Sequence, residues 1–164
     1  MLYELLVKNK SSIVSKWIKL ILDSYSIESS KFFNMEKNQF SNPVGNIIST
    51  NAASIFDEII GNRDFERICM LLTDIIKMRA IQDFSPSEAV GIVFLLKKII
   101  KEELSKEINQ EKILDEITEL EFVIDKTALI AFDLYMESRE KVFQIRLNDA
   151  KYKLQKTAFP VNDV

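Results

Sequence analysis

The chain has no histidine, one cysteine, three glycines and three prolines among its 164 residues. Each scarcity excludes a class of function. Without histidine there is no His-ligated haem, no histidine phosphorelay, no Ser-His-Asp or Cys-His catalytic apparatus and no His-based zinc site. The lone cysteine, Cys69, forms no internal disulfide and no cysteine-rich metal site. It reads either as a redox-sensing thiol or as a small apolar residue on a helix face beside Ile68 and Leu72. The burial preference of free cysteine favours the second. No glycine-rich phosphate loop occurs. The Glu-x-x-His signature of di-iron bundles has no histidine to complete it. Acid pairs such as Glu102-Glu103 and Glu119/Glu121 fall on helical stretches and read as solvated faces. The expectation is a chain with no catalytic residues, no metal site and no cofactor, and so not an enzyme.

Long apolar runs are also missing. Stretches such as Gly91–Leu96 are far short of the ~20 residues of a membrane span. The N-terminal MLYELLVKNK lacks the apolar core and cleavage site of a signal peptide, so a cytoplasmic protein is expected. The net charge is −3, with both signs interspersed. No basic cluster marks nucleic acid as a partner.

What is present is apolar spacing of three and four. With 47% apolar residues and so few breakers, this reads as one all-α domain. The domain is expected over 1–156, with 157–164 a frayed tail. A first helix spans Leu2–Tyr25, with a candidate break near Ser11 and a stripe of Ile13, Trp17, Leu20, Ile21 and Tyr25. Residues 26–41 show no sustained period and read as a loop pinned by Phe32, Phe33 and Phe40. Asn42-Pro43 opens a second helix as N-cap and first residue. Its buried face is Ile48, Ala52, Ile55, Phe56, Ile59 and Ile60, and Gly61-Asn62 stops it through a left-handed glycine. A third helix, Asp64–Gln82, carries Phe65, Ile68, Cys69, Leu72, Ile75, Ile76 and Arg79 on one stripe. The fourth starts at Ser85, with Pro86 as its first residue and Glu88 completing a capping box. Phe84 staples onto Ala89, and Val90, Val93, Phe94, Lys97 and Ile100 follow.

From Gln110 to Lys156 there is no Gly or Pro. Ile113, Leu114, Ile117, Leu120, Ile124, Ala128, Phe132 and Tyr135 form one apolar line. Unbroken, this helix is about 70 Å long at 1.5 Å per residue, more than a compact domain of this size spans. The expectation is a break near Glu121–Asp125, or a protrusion that pairs with a second subunit. The distal Val142, Phe143, Ile145, Leu147 and Ala150 are irregular for a strict heptad.

Two groups of residues stand out. Arg79 and Gln82 share a helical face, Asp83 sits at the turn, and Phe84 and Pro86 belong to the next helix start. This group is either a polar pocket for an anion or small ligand, or a helix corner in which Arg79 ties up carbonyls or Asp83. The second group is FDLYMESREKVFQIR, residues 132–146. Its Tyr135, Arg139, Val142, Phe143 and Arg146 are either a solvated helix with internal ion pairs or a dimer or partner surface.

RAIQDFSPSEAVGIVFLLKKIIKEEL, residues 79–104, resembles the R-A-x-Q-D-F-S-P-S-x-A-V-G-F-x-F-L-L-K segment of the RsbRD N-terminal domain family. The NPVG of Asn42–Gly45 and the segment 132–146 are similar to that family too. The resemblance implies a globin-like bundle of five to seven helices without haem, ending in a long helix and forming a homodimer. It implies a sensory or regulatory module of bacterial stress signalling that acts through a regulatory protein partner. In RsbT co-antagonist proteins a STAS domain follows this module in stressosome signalling; here the chain ends after the sensor-like part, a departure from that pattern. Stand-alone members also occur in bacteria with dissimilatory sulfur metabolism. The alternative is therefore a small-ligand-binding domain, or an accessory subunit of a larger, sulfur-metabolism redox complex. The resemblance adds weight to a role for Arg79, Gln82, Asp83, Phe84 and Pro86.

Overall fold

The computed structural model describes residues 1–38, 40–107 and 111–158. Six helices account for its regular structure, and no strand occurs among the described residues: α1 Leu2–Asp23, α2 Ile27–Met35, α3 Pro43–Ile60, α4 Phe65–Ile81, α5 Pro86–Glu103 and α6 Glu111–Ala158. The chain is all-α, with a long C-terminal helix, as its spacing implies. α6 lies mainly against α4 and α5; α1 lies against α3 and α5; α2 lies against α1 and α3.

α1 runs through Ser11 without a break and buries Leu6, Ile13, Val14, Trp17 and Ile21. Leu20 turns to solvent. The Trp17 Nε1–H donates to the Ile92 carbonyl at 2.7 Å and fastens α1 to α5. The segment expected to be a loop is in part a helix: Ser26 caps α2 by accepting from the Ser29 amide. The sequence IESSKFFNM buries too little to show a period. Phe33 packs against the core, its ring edge-on to Tyr25 at 5.2 Å. Phe32 and Phe40 are exposed and pin nothing.

The caps follow the expected chemistry. Asn42 accepts from the Gly45 amide at 2.9 Å, and its own amide donates to the carbonyls of Phe33 and Glu36 at 3.0 and 2.8 Å. One buried side chain therefore starts α3 and anchors the end of α2. Asp64 accepts from the amides of Glu66 and Arg67. Ser85 and Glu88 form the reciprocal capping box. The stop of α3 differs from expectation. Gly61 is not left-handed, with φ −105° and ψ −104°. Arg63 takes that conformation instead, at φ 57°, and its amide reaches the Glu58 carbonyl at 2.7 Å.

α6 is continuous for 48 residues, roughly 72 Å at 1.5 Å per residue. The break expected near Glu121–Asp125 does not occur. Those two acids instead pair with Lys101 and Lys97 of α5, each at 2.6 Å. The buried line is Ile113, Ile117, Leu120, Ile124, Ala128, Ala131 and Tyr135, with Leu114 and Phe132 outside it. Beyond Tyr135 no residue of α6 is fully buried, and from residue 148 onward all are exposed, so about the last three turns project past the body. Thr157 and Ala158 extend the helix past the expected boundary at 156; the remainder of the expected tail, 159–164, lies outside the described residues. Among the described residues no helix is long and apolar enough to cross a membrane.

Candidate functional site: the α4–α5 corner and its grip on α6

The corner begins with Arg79, whose stripe position carries a charged side chain to the bottom of the core at 0% exposure. Its Nη1 donates to the Ser24 hydroxyl and its Nη2 to the Glu88 carbonyl, each at 3.0 Å. The Phe84 ring stacks 4.0 Å from the guanidinium carbon and the Tyr25 ring 5.3 Å from it. Cation–π attraction of this kind offsets part of the desolvation cost. No ion pair to Arg79 occurs among the described residues. Its Nε and the hydroxyl of Tyr25 are both buried with no hydrogen-bond partner. Burial lowers the Arg79 pKa, with the Tyr25 phenol and the Glu88 carboxylate acting the other way. Burial likewise raises that of Tyr25, opposed by the Arg79 charge.

Asp83 turns away from Arg79. It holds a left-handed backbone at φ 60°, uncommon for a residue with a side chain. Its carboxylate accepts from Arg139 of α6 at 3.0 Å, with Arg146 at 3.9 Å. Arg139 also donates to the Ala80 carbonyl at 3.0 Å, and the Tyr135 hydroxyl donates to the Phe84 carbonyl at 2.5 Å. The two groups that stand apart in sequence thus meet. Phe84 joins them, with its ring over the buried cation and its carbonyl on α6. Gln82 and Pro86 are exposed at the rim.

Of the second group, Tyr135 is 4% exposed and engaged within the chain. Arg139 is half-buried and engaged too, whereas Val142 is half-buried and Phe143 exposed. Two features were not read from the sequence. Tyr25 and Ser24 enclose Arg79 from 54 and 55 positions away, and no local spacing signals that. The second is an outer face on α6, where Phe122, Leu129, Met136 and Phe143 recur every seven residues and are 71%, 66%, 41% and 62% exposed. That heptad was legible, but the stronger buried line obscured it. The pairs Lys101–Glu121 and Lys97–Asp125 run antiparallel, a register that brings exposed Phe94 of α5 level with this face.

A separate cleft of about 610 Å³ opens between α1, α2 and α3, with Ile18, Leu22 and Phe33 among its apolar walls and Lys19, Lys37 and Asn46 among its polar ones. None of residues 79–86 lines it. Among the described residues no cluster of three or more Cys, Asp or Glu suited to a metal ion occurs.

A family model of the RsbT co-antagonist protein rsbRD N-terminal domain matches residues 11–149. The chain belongs to this family. The match takes in most of α1, the whole of α2 to α5, and α6 as far as residue 149, so both the corner and the outer face lie inside the RsbRD N-terminal domain. Membership points to a regulatory module of stress signalling. No curated protein and no solved structure matches the chain.

Proposed function

We propose that this RsbRD N-terminal domain is a non-enzymatic sensory and regulatory module that acts by protein–protein contact, first of all with a second copy of itself. The observation that carries the reading is the apolar heptad Phe122, Leu129, Met136 and Phe143 on the solvent side of an unbroken helix. Apolar residues spaced by seven supply one of the two heptad positions of a helix–helix seam, and exposed Phe132 adds the other between Leu129 and Met136. A row of large exposed apolar side chains along one helix marks an interaction surface. The corner supplies the coupling. Tyr135 and Arg139 tie α6 to the end of α4 and the start of α5, so a change at the corner shifts the helix that meets the partner. Sedimentation velocity at micromolar concentration tests this. The wild-type chain is expected at twice its 19.0 kDa mass, and the double variant Leu129→Glu, Phe143→Glu at that mass itself. A wild-type chain that stays monomeric sinks the reading.

The cleft between α1, α2 and α3 favours a second reading, a small-ligand-binding domain. Native mass spectrometry that finds a small molecule retained by the purified protein supports it.

A further inference from the structure

Arg79 is a buried cation whose desolvation is offset only by two hydrogen bonds and two ring contacts. Its acceptors are satisfied without it. The Ser24 hydroxyl is already bonded to the Ile21 carbonyl at 2.5 Å. The Glu88 carbonyl lies in the first turn of α5, where the amide four residues on supplies a donor. Removing the guanidinium leaves no orphaned partner, yet keeping it costs the desolvation of a charge with no acid against it. Two buried groups here, the Arg79 Nε–H and the Tyr25 hydroxyl, lie close enough to favour each other's charge state but make no well-aligned hydrogen bond. The nearer of the two rings over this group is that of Phe84, which is only partly buried and follows the strained Asp83.

We propose that the Arg79 cage is a closed binding site for a small monocarboxylate, which enters when the Phe84 ring swings away from the guanidinium. The planar fork of Nε and Nη matches the two oxygens of a carboxylate. The Tyr25 hydroxyl supplies a third donor. The Tyr25 ring suits a short apolar tail. The exposed Glu88 carboxylate in electrostatic range already offsets part of this one cation, which disfavours a dianion such as phosphate or sulfate more than a monoanion. The inference rests on the regulatory reading for its consequence. Displacing Phe84 disturbs the carbonyl that Tyr135 holds and the Asp83 that Arg139 holds, and so loosens α6.

The test is a chemical-shift titration of the ¹⁵N-labelled full chain with sodium acetate, at ionic strength held constant with sodium chloride. Saturable shifts are expected at residues 24–25 and 79–89. The affinity is expected to fall at least tenfold in Arg79→Met and several-fold in the near-isosteric Tyr25→Phe, and to rise in Phe84→Ala. The site is overturned if neither wild type nor Phe84→Ala shows saturable shifts there, if a folded Arg79→Met binds acetate as tightly, or if chloride alone produces the same response. Sedimentation of the same samples separates the two claims. A dimer without acetate binding sinks the site alone, and a monomer that binds acetate sinks the self-association alone.

Discussion

Individual residues carry the sharpest tests, and the glycines come first. Gly91 lies inside α5, and a Cβ added there meets nothing within 4 Å. Gly91→Ala is therefore expected to stabilise the domain by about 1 kcal/mol, the helix-propensity difference, in urea denaturation. Gly61 is the opposite case. Its Cβ would stand 2.8 Å from the Asp57 carbonyl oxygen, so Gly61→Ala is expected to lower stability by about 1–3 kcal/mol. Arg79 gives the least intuitive outcome. Replacing a buried ion pair by apolar residues of similar volume is often neutral or stabilising by about 1–4 kcal/mol, and the same saving of desolvation applies to a lone buried charge. Arg79→Met is thus expected to leave the urea midpoint unchanged or raise it. A fall of several kcal/mol would show that the guanidinium holds the corner together. The stripe of α4 placed Arg79 on the buried face in advance. The sequence could not show that Tyr25, from another part of the chain, completes its cage, because only packing brings them together.

Among elements, α3 depends on its first residue. Asn42→Ala removes a cap and also leaves the carbonyls of Phe33 and Glu36 without their donor. The loss is expected to exceed the ~1 kcal/mol of an ordinary cap. Hydrogen exchange should show faster exchange throughout α2. At the other end, Tyr135→Phe and Arg139→Ala cut the ties between α6 and the corner. Amide exchange is expected to speed up at residues 80–86, with little change in the amide of Ile21 or its neighbours in α1. Element starts were legible because caps are local chemistry: Ser85, Pro86 and Glu88 act within four residues of one another. α2 was not legible, because a nine-residue helix that buries little leaves no periodic trace. The ion pairs of Glu121 and Asp125 along α6 involve Lys101 and Lys97, which lie some 20 to 28 positions away and leave no local trace.

For the whole molecule, pH acts through several acids at once. Lys19, the Ser85 hydroxyl, Lys16 and Lys141 respectively are the main causes that hold Asp23, Glu88, Glu103 and Glu137 below ordinary carboxylate values. A lowered folded-state pKa means that the unfolded chain binds more protons in the acid range. The stability these acids contribute is therefore present above their unfolded values of 3.8 and 4.5, and is lost as pH falls through and below them. Urea midpoints measured from about pH 6 down to about pH 3 should fall, and Glu88→Gln should flatten that acid limb. The emission of Trp17, the one tryptophan, reports the transition, because its ring is buried and bonded to Ile92 across the α1–α5 contact. The lysine partners of these acids are exposed, so added salt is expected to shrink the acid limb while leaving the apolar core unaffected.

The sequence by itself determined that this chain is helical, where most helices begin, and which positions of α3 and most positions of α4 face inward, whereas Phe94 of the expected α5 stripe is exposed. Those properties follow from spacing, caps and the scarcity of breakers, all of which act over a few residues. Tertiary structure alone decided that the buried Arg79 lacks an acid, that Asp83 belongs to α6, that Tyr135 turns inward and that Phe122, Leu129, Met136 and Phe143 are left in water. Each of these depends on which helix lies across from which, and burial is a property of the assembled surface that no single stretch of chain contains.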